Sequence, residues 1–427
     1  MKKLCSYILA ASALLAAVSC QKDDDFTESI FDTSVSAVDQ SSATAPFDQW
    51  LYDNFVVPYN TEIQYKFNFT ASDLNYQLTP SDYKKSQLLA HFIKYLFYDV
   101  YNKYGEKDAQ GKDVFMKKYG PRIFHFIGSM AYSPTTETET LGYASAGVKI
   151  TLIKVNSMRT VTDDMVFTDH DLNELNEDQF HTMHHEFSHI LHQTKVYPVS
   201  YGLVTPGTYD PRSWQERDST ETHRLGYLTN YGSSASTEDF VELLSCTITD
   251  TDSRWMNTLI EATLNGGVKT GDKEQLYLLI DSLNIANVRD PELSTFDDPK
   301  HYWNNFGVYS ESKYNADTKG YEPTGRYVID AHIDESKKLA GPDAKMQYYL
   351  VQHFTSFRDY LDNWIKEDNS GGTTGLNAIL KKFEIATKWY TENWGLYLFT
   401  MRQEVSERQR RINEYIHSDE CVIYDYK

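Results

Sequence analysis

Two histidines and a glutamate stand at a spacing that can carry metal chemistry. His185 and His189 are four residues apart, and Glu186 directly follows the first. Because an α-helix completes a turn in 3.6 residues, this spacing puts both imidazoles on one face, within reach of a single Zn2+. Glu186 lies beside that face, where a carboxylate can act as a general base toward water. The pattern predicts a hydrolytic zinc site with two histidine ligands and a catalytic glutamate.

The helix that must position these residues is visible in the apolar pattern of residues 177–193. Five apolar residues recur there at helical spacing and share the side opposite the two histidines. They are Phe180, Met183, Phe187, Ile190 and Leu191. Asn176, with Gln179 three residues later, has the pattern of a capping box, so we expect the helix to begin at Asn176.

Zinc in a catalytic site needs a third protein ligand and keeps one position for water. The extended metzincin pattern requires Gly and His at positions that are His192 and Lys195 here, which excludes it. Glu238 begins a second predicted helix, 238–248, whose other face is apolar, and it is a candidate ligand. Glu242, one turn later, is predicted to orient a ligating histidine. Asp210, in the string Gly-Thr-Tyr-Asp, remains an alternative third ligand.

Length, composition and pattern indicate the fold class. The chain has 427 residues, of which 41% are hydrophobic, enough to fill a core. Its net charge of -20 argues against a nucleic-acid partner, because phosphate binding needs clustered Lys and Arg. Predicted strands at 61–69, 123–127 and 148–155 mix with helices without a regular βαβ rhythm, which favours an α+β fold with a mixed sheet and an active-site helix. We expect a zincin-like catalytic domain over 46–268. A mainly helical C-terminal region should follow over 269–427, with helices near 347–366 and 376–416.

The N-terminal segment has the pattern of a targeting signal. A short basic start and an apolar run over 7–18 end in small residues before Cys20, which resembles a bacterial lipoprotein cleavage site. Residues 1–19 are therefore expected to be a signal peptide, Cys20 to carry lipid as the only membrane anchor, and the polar stretch 20–45 to be a flexible tether. Lys22 followed by acidic residues resembles the surface-export signal of Bacteroidetes-type lipoproteins, which indicates a cell-surface location at the outer membrane; the periplasmic face stays open. The sequence does not determine whether Cys246 and Cys421 pair.

The spacing beyond the first motif resembles the Glu-ligand zincins of the anthrax lethal factor type. Tyr231 lies seven residues before Glu238, and Glu242 lies four residues after it. In that group the first glutamate of the second helix binds zinc and the tyrosine points into the site. The resemblance thus implies that Glu238 is the third ligand. It also implies that Tyr231 is catalytic, donating a hydrogen bond to the developing oxyanion or the leaving amine.

The whole chain resembles the substrate import-associated zinc metallohydrolase lipoproteins of Bacteroidetes. The similarity rests on Trp50-Leu51, on Pro58-Tyr59-Asn60 before the first strand and on the run 185–193. It implies a zinc metallopeptidase that acts on peptides or proteins beside a SusC/SusD-type importer. Two alternatives stay open: a non-catalytic surface binding lipoprotein on the same scaffold, and a zinc hydrolase of another amide or an ester. The presence of Glu186 favours an enzyme, since a pure binding protein has no need of the base.

Overall fold

The computed structural model describes residues 38–68, 78–132, 139–140, 142–145, 148–263, 275–276, 278–279, 282, 308–315, 320–329 and 374–427. The expected signal peptide, Cys20, most of the expected tether and the helix expected at 347–366 lie outside these residues. None of the helices in the described ranges has the length and apolar composition needed to span a bilayer.

Two long helices at the start of the fold are each interrupted by a π-helical turn. The first comprises Ala45–Leu51, the π turn Tyr52–Val56 and Val57–Tyr59, and the second comprises Tyr83–Phe92, the π turn Ile93–Tyr98 and Asp99–Tyr104. A short helix, Phe115–Tyr119, follows. Phe47, Phe55, Phe92 and Phe97 from these helices are fully buried, so the helices form one wall of the core.

Eight strands occur among the described residues. In chain order they are β1 (Glu62–Gln64), β2 (Ile123–Phe126), β3 (Ala131–Tyr132), β4 (Glu139–Thr140), β5 (Gly142–Ser145), β6 (Lys149–Leu152), β7 (Val308–Asn315) and β8 (Gly320–Ile329). The main sheet has the order β1-β2-β6-β5, in which the first three strands are parallel and β5 is antiparallel to β6. Two antiparallel pairs, β3-β4 and β7-β8, stand apart from it. This mixed sheet with helices confirms the predicted α+β fold, although β1 is shorter than the strand predicted over 61–69.

The helix that carries the first motif is longer than the sequence predicted. It runs through Asp169–Leu175, the π turn Asn176–Phe180 and His181–Thr194; the last segment is called the motif helix below. The expected start at Asn176 is wrong, because the capping box lies one element earlier. The Thr168 hydroxyl accepts from the Asp171 amide and the Asp171 carboxylate accepts from the Thr168 amide, so the helix begins there and passes through Asn176.

The predicted apolar side of the motif helix is confirmed. Phe180, Met183, Phe187 and Leu191 are fully buried and Ile190 is nearly so. Phe187 meets the rings of Phe97 and Tyr101 edge to face, at 5.2 Å and 4.9 Å between centroids. This packing against the wall of the core fixes the rotation of the helix and therefore the direction of its other face.

The predicted second helix forms over Ser236–Thr249 and is called the glutamate helix below. Between the two site helices the chain is mostly irregular, as expected, with short helical pieces at Trp214–Glu216, Ser219–Arg224 and Tyr231–Ser234. The helix Asp252–Thr263 follows the glutamate helix. Instead of the single helical segment expected over 376–416, the structure has Gly375–Trp394, Leu398–Arg410 and Ile412–Ile416.

The helix Gly375–Trp394, called the C-terminal helix below, packs into the same core as the site helices. The Trp389 ring meets Phe240 of the glutamate helix at 5.0 Å, and the Tyr390 hydroxyl donates to the Tyr101 hydroxyl at 3.2 Å. Cys246 and Cys421 are both buried free thiols, so they do not form a disulfide.

Candidate metal centre

Three side chains from the two site helices converge on one point. Nε2 of His185 lies 3.2 Å from Nε2 of His189, and each of these atoms lies 3.3 Å from Oε2 of Glu238. The motif helix supplies both histidines from its polar face, and the glutamate helix supplies the carboxylate from its first turn. The structure thus brings together the two predicted histidines and the predicted glutamate.

The size of this triangle fits a zinc ion. Zinc bonds to His nitrogen and carboxylate oxygen at about 2.0–2.2 Å, and tetrahedral ligands at that radius are separated by about 3.3–3.6 Å. The three observed separations, 3.2, 3.3 and 3.3 Å, lie within about 0.1 Å of the lower end of that range. Two imidazoles and one carboxylate are also the donor set of zinc sites that keep a fourth position open. The residues present therefore fit Zn2+.

Glu242 lies one turn behind Glu238 and contacts the other side of the first histidine. Nδ1 of His185 donates to Oε1 of Glu242 at 2.6 Å, which leaves the lone pair of Nε2 directed at the centre. The same oxygen accepts from Nε2 of His181 at 3.0 Å, and Oε2 accepts from the Thr229 hydroxyl at 2.6 Å. Glu242 is thus where the sequence predicted an orienting carboxylate, with its own oxygens held by two further side chains.

His189 has an orienting partner that the sequence analysis missed. Its Nδ1 lies 2.9 Å from Nε2 of His192, so it can donate a proton there and present Nε2 to the centre. Burial lowers the pKa of His192 to about 4, which keeps this imidazole neutral and able to accept. The signal was the spacing of three residues on one helix face, where neighbouring side chains meet.

The electrostatics of the cluster favour a divalent cation. Burial works against ionisation of Glu238 and Glu242, but the charge of the neighbouring histidines and the hydrogen bonds from them outweigh it and hold the pKa of each carboxyl below its usual value. Burial likewise disfavours charge on His185, yet the hydrogen bonds to these two carboxylates raise its pKa to about 10. The negative charge that favours a proton on His185 would equally favour a metal cation between these side chains.

Glu186 and Tyr231 lie at the edge of the three donors. Glu186 is 8% exposed, and its charge acts on both His185 and Tyr231. Burial, followed by the charge of Glu238 and a hydrogen bond to it, raises the pKa of the Tyr231 hydroxyl, so the phenol stays protonated. Tyr231 is 40% exposed and packs against Trp214 at 5.0 Å, which leaves part of its ring open to a substrate.

Asp210 is not one of the three converging residues. Its Oδ1 accepts from the backbone amides of Arg212 and Ser213 at 3.0 Å and 3.1 Å, an arrangement typical of an Asx turn. This carboxylate orders the loop before Trp214, and the geometry favours Glu238 over Asp210 as the third ligand.

Comparisons with known proteins bear on the family and the fold of the chain. Residues 40–277 match the model of a family described as "Putative zinc-binding metallo-peptidase". The fold is similar to the crystal structure of a putative zinc-binding metallo-peptidase from Bacteroides caccae ATCC 43185. The two chains share 24% sequence identity with a TM-score of 0.52, over 91% of this chain and 100% of that one, a likeness that establishes the fold. No curated protein matches the chain.

Proposed function

Because the chain belongs to the zinc-binding metallopeptidase family, whose expected cofactor is Zn2+, we propose that it is a zinc-dependent peptidase with His185, His189 and Glu238 as its metal ligands. The observation that carries the proposal is the triangle of donor atoms with sides of 3.2–3.3 Å. Zinc in such a site acts as a Lewis acid that makes a water molecule more acidic and polarises a carbonyl group.

Glu186 is the general base. The attacking water forms a bond to the carbonyl carbon and loses a proton to the Glu186 carboxylate. As the carbon–nitrogen bond breaks, the carboxyl returns that proton to the leaving nitrogen, so that the products are an acid and an amine. A carboxylate can accept and return the same proton, and Glu186 is only 8% exposed, so little of its side chain is open to bulk water between the two steps.

Tyr231 is the oxyanion donor. Its raised pKa keeps the hydroxyl protonated at neutral pH, so the phenol can donate a hydrogen bond to the carbonyl oxygen as negative charge develops there. The exposed part of the ring and the neighbouring Trp214 form the wall against which a substrate side chain can lie.

The test is digestion of a peptide library by the purified full chain, followed by mass spectrometry. The protein should cleave peptides, lose that activity with a chelator and recover it with zinc. Glu186→Gln should keep zinc and lose cleavage, whereas Glu174→Gln, the same change at an exposed position, should keep both. An active Glu186→Gln protein would contradict the base assignment. If the protein hydrolyses esters or non-peptide amides but no peptide, it is a zinc hydrolase of another substrate class and not a peptidase.

The remaining parts of the proposal concern location and partners. A lipid on Cys20 would hold the protein at the outer membrane, where it would trim peptides or proteins beside a SusC/SusD-type importer. The lipid and the location are supported by the N-terminal sequence pattern, and the importer by the resemblance of the whole chain to the import-associated lipoproteins. Cys20→Ser should release the protein from the membrane fraction, and protease shaving of intact cells distinguishes the cell surface from the periplasmic face.

A further inference from the structure

The glutamate helix begins without a side-chain cap. Its N-cap residue is Ala235, whose methyl group cannot accept a hydrogen bond from the first amides of the helix. Glu238 is the third residue of this helix, so the proposed ligand lies in a first turn that no capping side chain stabilises. The first turn must be fixed by contacts from other parts of the chain.

The residue after the ligand is held on both its side chain and its main chain. The Tyr209 hydroxyl donates to Oδ2 of Asp239 at 2.8 Å, and the Tyr201 hydroxyl donates to the carbonyl oxygen of Asp239 at 3.0 Å. Asp239 is only 2% exposed, so its carboxylate needs a positive partner as well.

Lys382, from the C-terminal helix, is that partner. Its ammonium nitrogen lies 2.7 Å from Oδ2 of Asp239, and the side chain is 1% exposed. The same nitrogen donates to the carbonyl oxygen of Gly226 at 2.7 Å and lies 3.9 Å above the centre of the Tyr227 ring. One buried cation thus joins the glutamate helix to the segment that leads, five residues later, to Tyr231.

Gly226 shows how closely these segments approach. Its φ is +89°, and a Cβ at this position would lie 2.4 Å from the Cβ of Ala378 on the C-terminal helix. A glycine is therefore required both by the backbone conformation and by the space. The contact leaves little room for the Tyr231 segment to shift relative to the helix that carries Lys382.

We propose that Lys382 is a positioning residue of the metal centre, which fixes Glu238 through Asp239 and the approach to Tyr231 through Gly226. The inference rests on the proposed function in taking Glu238 as a zinc ligand. Lys382 lies outside residues 40–277, so the site extends beyond the part of the chain that the family model matches.

The test compares zinc affinities, measured by competition with a chromogenic chelator. Lys382→Met alone leaves the Asp239 charge buried without a partner and can unfold the protein, so the informative variant is the neutral pair Lys382→Met with Asp239→Asn. We expect it to keep the far-UV circular dichroism of the wild type and to bind zinc about 10-fold more weakly, the low end of the effect of losing a direct partner of a metal ligand, because Lys382 acts on Glu238 through the neighbouring residue. The visible spectrum of the cobalt-substituted protein should change with it.

Arg402 provides a matched control, because it contacts the C-terminal end of the glutamate helix. It is buried, comes from the helix Leu398–Arg410 and donates to the carbonyl oxygens of Thr247 and Asp250 at 3.1 Å and 2.6 Å. Arg402→Met should lower the melting temperature and leave zinc affinity and the cobalt spectrum unchanged. Tyr209→Phe, which removes one hydroxyl and keeps the ring, should weaken zinc binding by a few fold. It replaces the double variant in the test if that protein does not fold.

Each outcome separates the inference from the function beneath it. The positioning role is overturned if Glu238→Ala abolishes zinc binding while the double variant binds zinc as tightly as the wild type. If the double variant does not fold, the same comparison is made with Tyr209→Phe. Equal weakening in Arg402→Met also overturns the positioning role, because the effect would then be general instability. Wild-type affinity in Glu238→Ala overturns the ligand assignment, and the positioning role with it.

Discussion

Each of the two histidines at the metal centre is oriented by a different kind of partner. His185 donates to a carboxylate, Glu242, whereas His189 faces the neutral ring of His192. A carboxylate makes an imidazole a stronger ligand than a neutral acceptor does, so His185 should bind a metal ion more strongly than His189. Their four-residue spacing in the sequence gives no sign of this difference. Sequence spacing could propose both histidines as ligands, but the difference between their partners depends on the fold.

Removal of the third ligand distinguishes the two candidates that the sequence left open. Glu238→Ala should lose most bound zinc on dialysis, because it removes one of three donor atoms. Asp210→Ala should keep zinc at one ion per chain, since Asp210 only accepts loop amides. Metal content measured by atomic absorption decides; the reverse pattern would make Asp210 the ligand.

Loss of the Tyr231 hydroxyl should affect the reaction and not the metal. Tyr231→Phe keeps the ring against Trp214 and removes the oxyanion donor, so kcat should fall about 100-fold while KM and zinc content stay near their wild-type values. Tyr397→Phe, at a side chain that is 63% exposed, is the control. An unchanged kcat would exclude the phenol from catalysis.

At the scale of elements, features that depend on the pattern within one helix could be predicted from the sequence. Contacts between segments that are distant in the sequence could not. The apolar phase of the motif helix follows from side chains that recur every three or four residues, and their burial was confirmed. The helix start was mispredicted because Asn176 has a side chain that suits a cap, while the chain upstream continues as a helix to Thr168. The Lys382–Asp239 pair had no local signal, since the partners come from distant segments.

The capping box at Thr168 yields a stability prediction. Thr168→Ala removes the acceptor for the Asp171 amide and should lower the free energy of unfolding by about 1 kcal/mol. Urea denaturation followed by circular dichroism measures the change. Glu174→Ala, at an exposed position of the same helix, should have almost no effect, and an equal loss there would mean that the effect is not specific to the cap.

At the scale of the whole molecule, the C-terminal residues close the fold over its first helices. The amide of Tyr424 donates to the Gln87 side chain at 2.7 Å, and the carbonyl oxygen of Val422 lies 3.0 Å from Nε2 of His91. His91 also packs against Trp50, with the ring centres 4.0 Å apart. A buried imidazole therefore stands between the start and the end of the described chain.

This histidine should make the fold sensitive to acid. Burial lowers the pKa of His91 to about 4, and the hydrogen bond to Val422 offsets this only in part. An unfolded histidine has a pKa of about 6.5, so the unfolded state binds the proton first as the pH falls. The stabilisation is therefore complete above about pH 6.5 and is lost as the pH approaches 4, a difference of about 3 kcal/mol at most.

The measurement is the melting temperature at a series of pH values. His91→Gln can keep a donor to Val422 but has no titrating group, so its melting temperature should fall less steeply between about pH 6.5 and pH 4.5 than that of the wild type. His417→Gln, at an exposed position, should follow the wild-type curve. Parallel curves for wild type and His91→Gln would assign the acid sensitivity to other groups.

The bond between Gly226 and Lys382 also orders events during folding. Its two residues are separated by 156 positions, and closing so long a loop is slow compared with forming either site helix. If Lys382 has the proposed positioning role, the motif helix and the glutamate helix can form early, but their donor atoms would reach their final separation only when the C-terminal helix docks. A partly folded chain would therefore hold zinc weakly, and full affinity would mark the last stage of maturation.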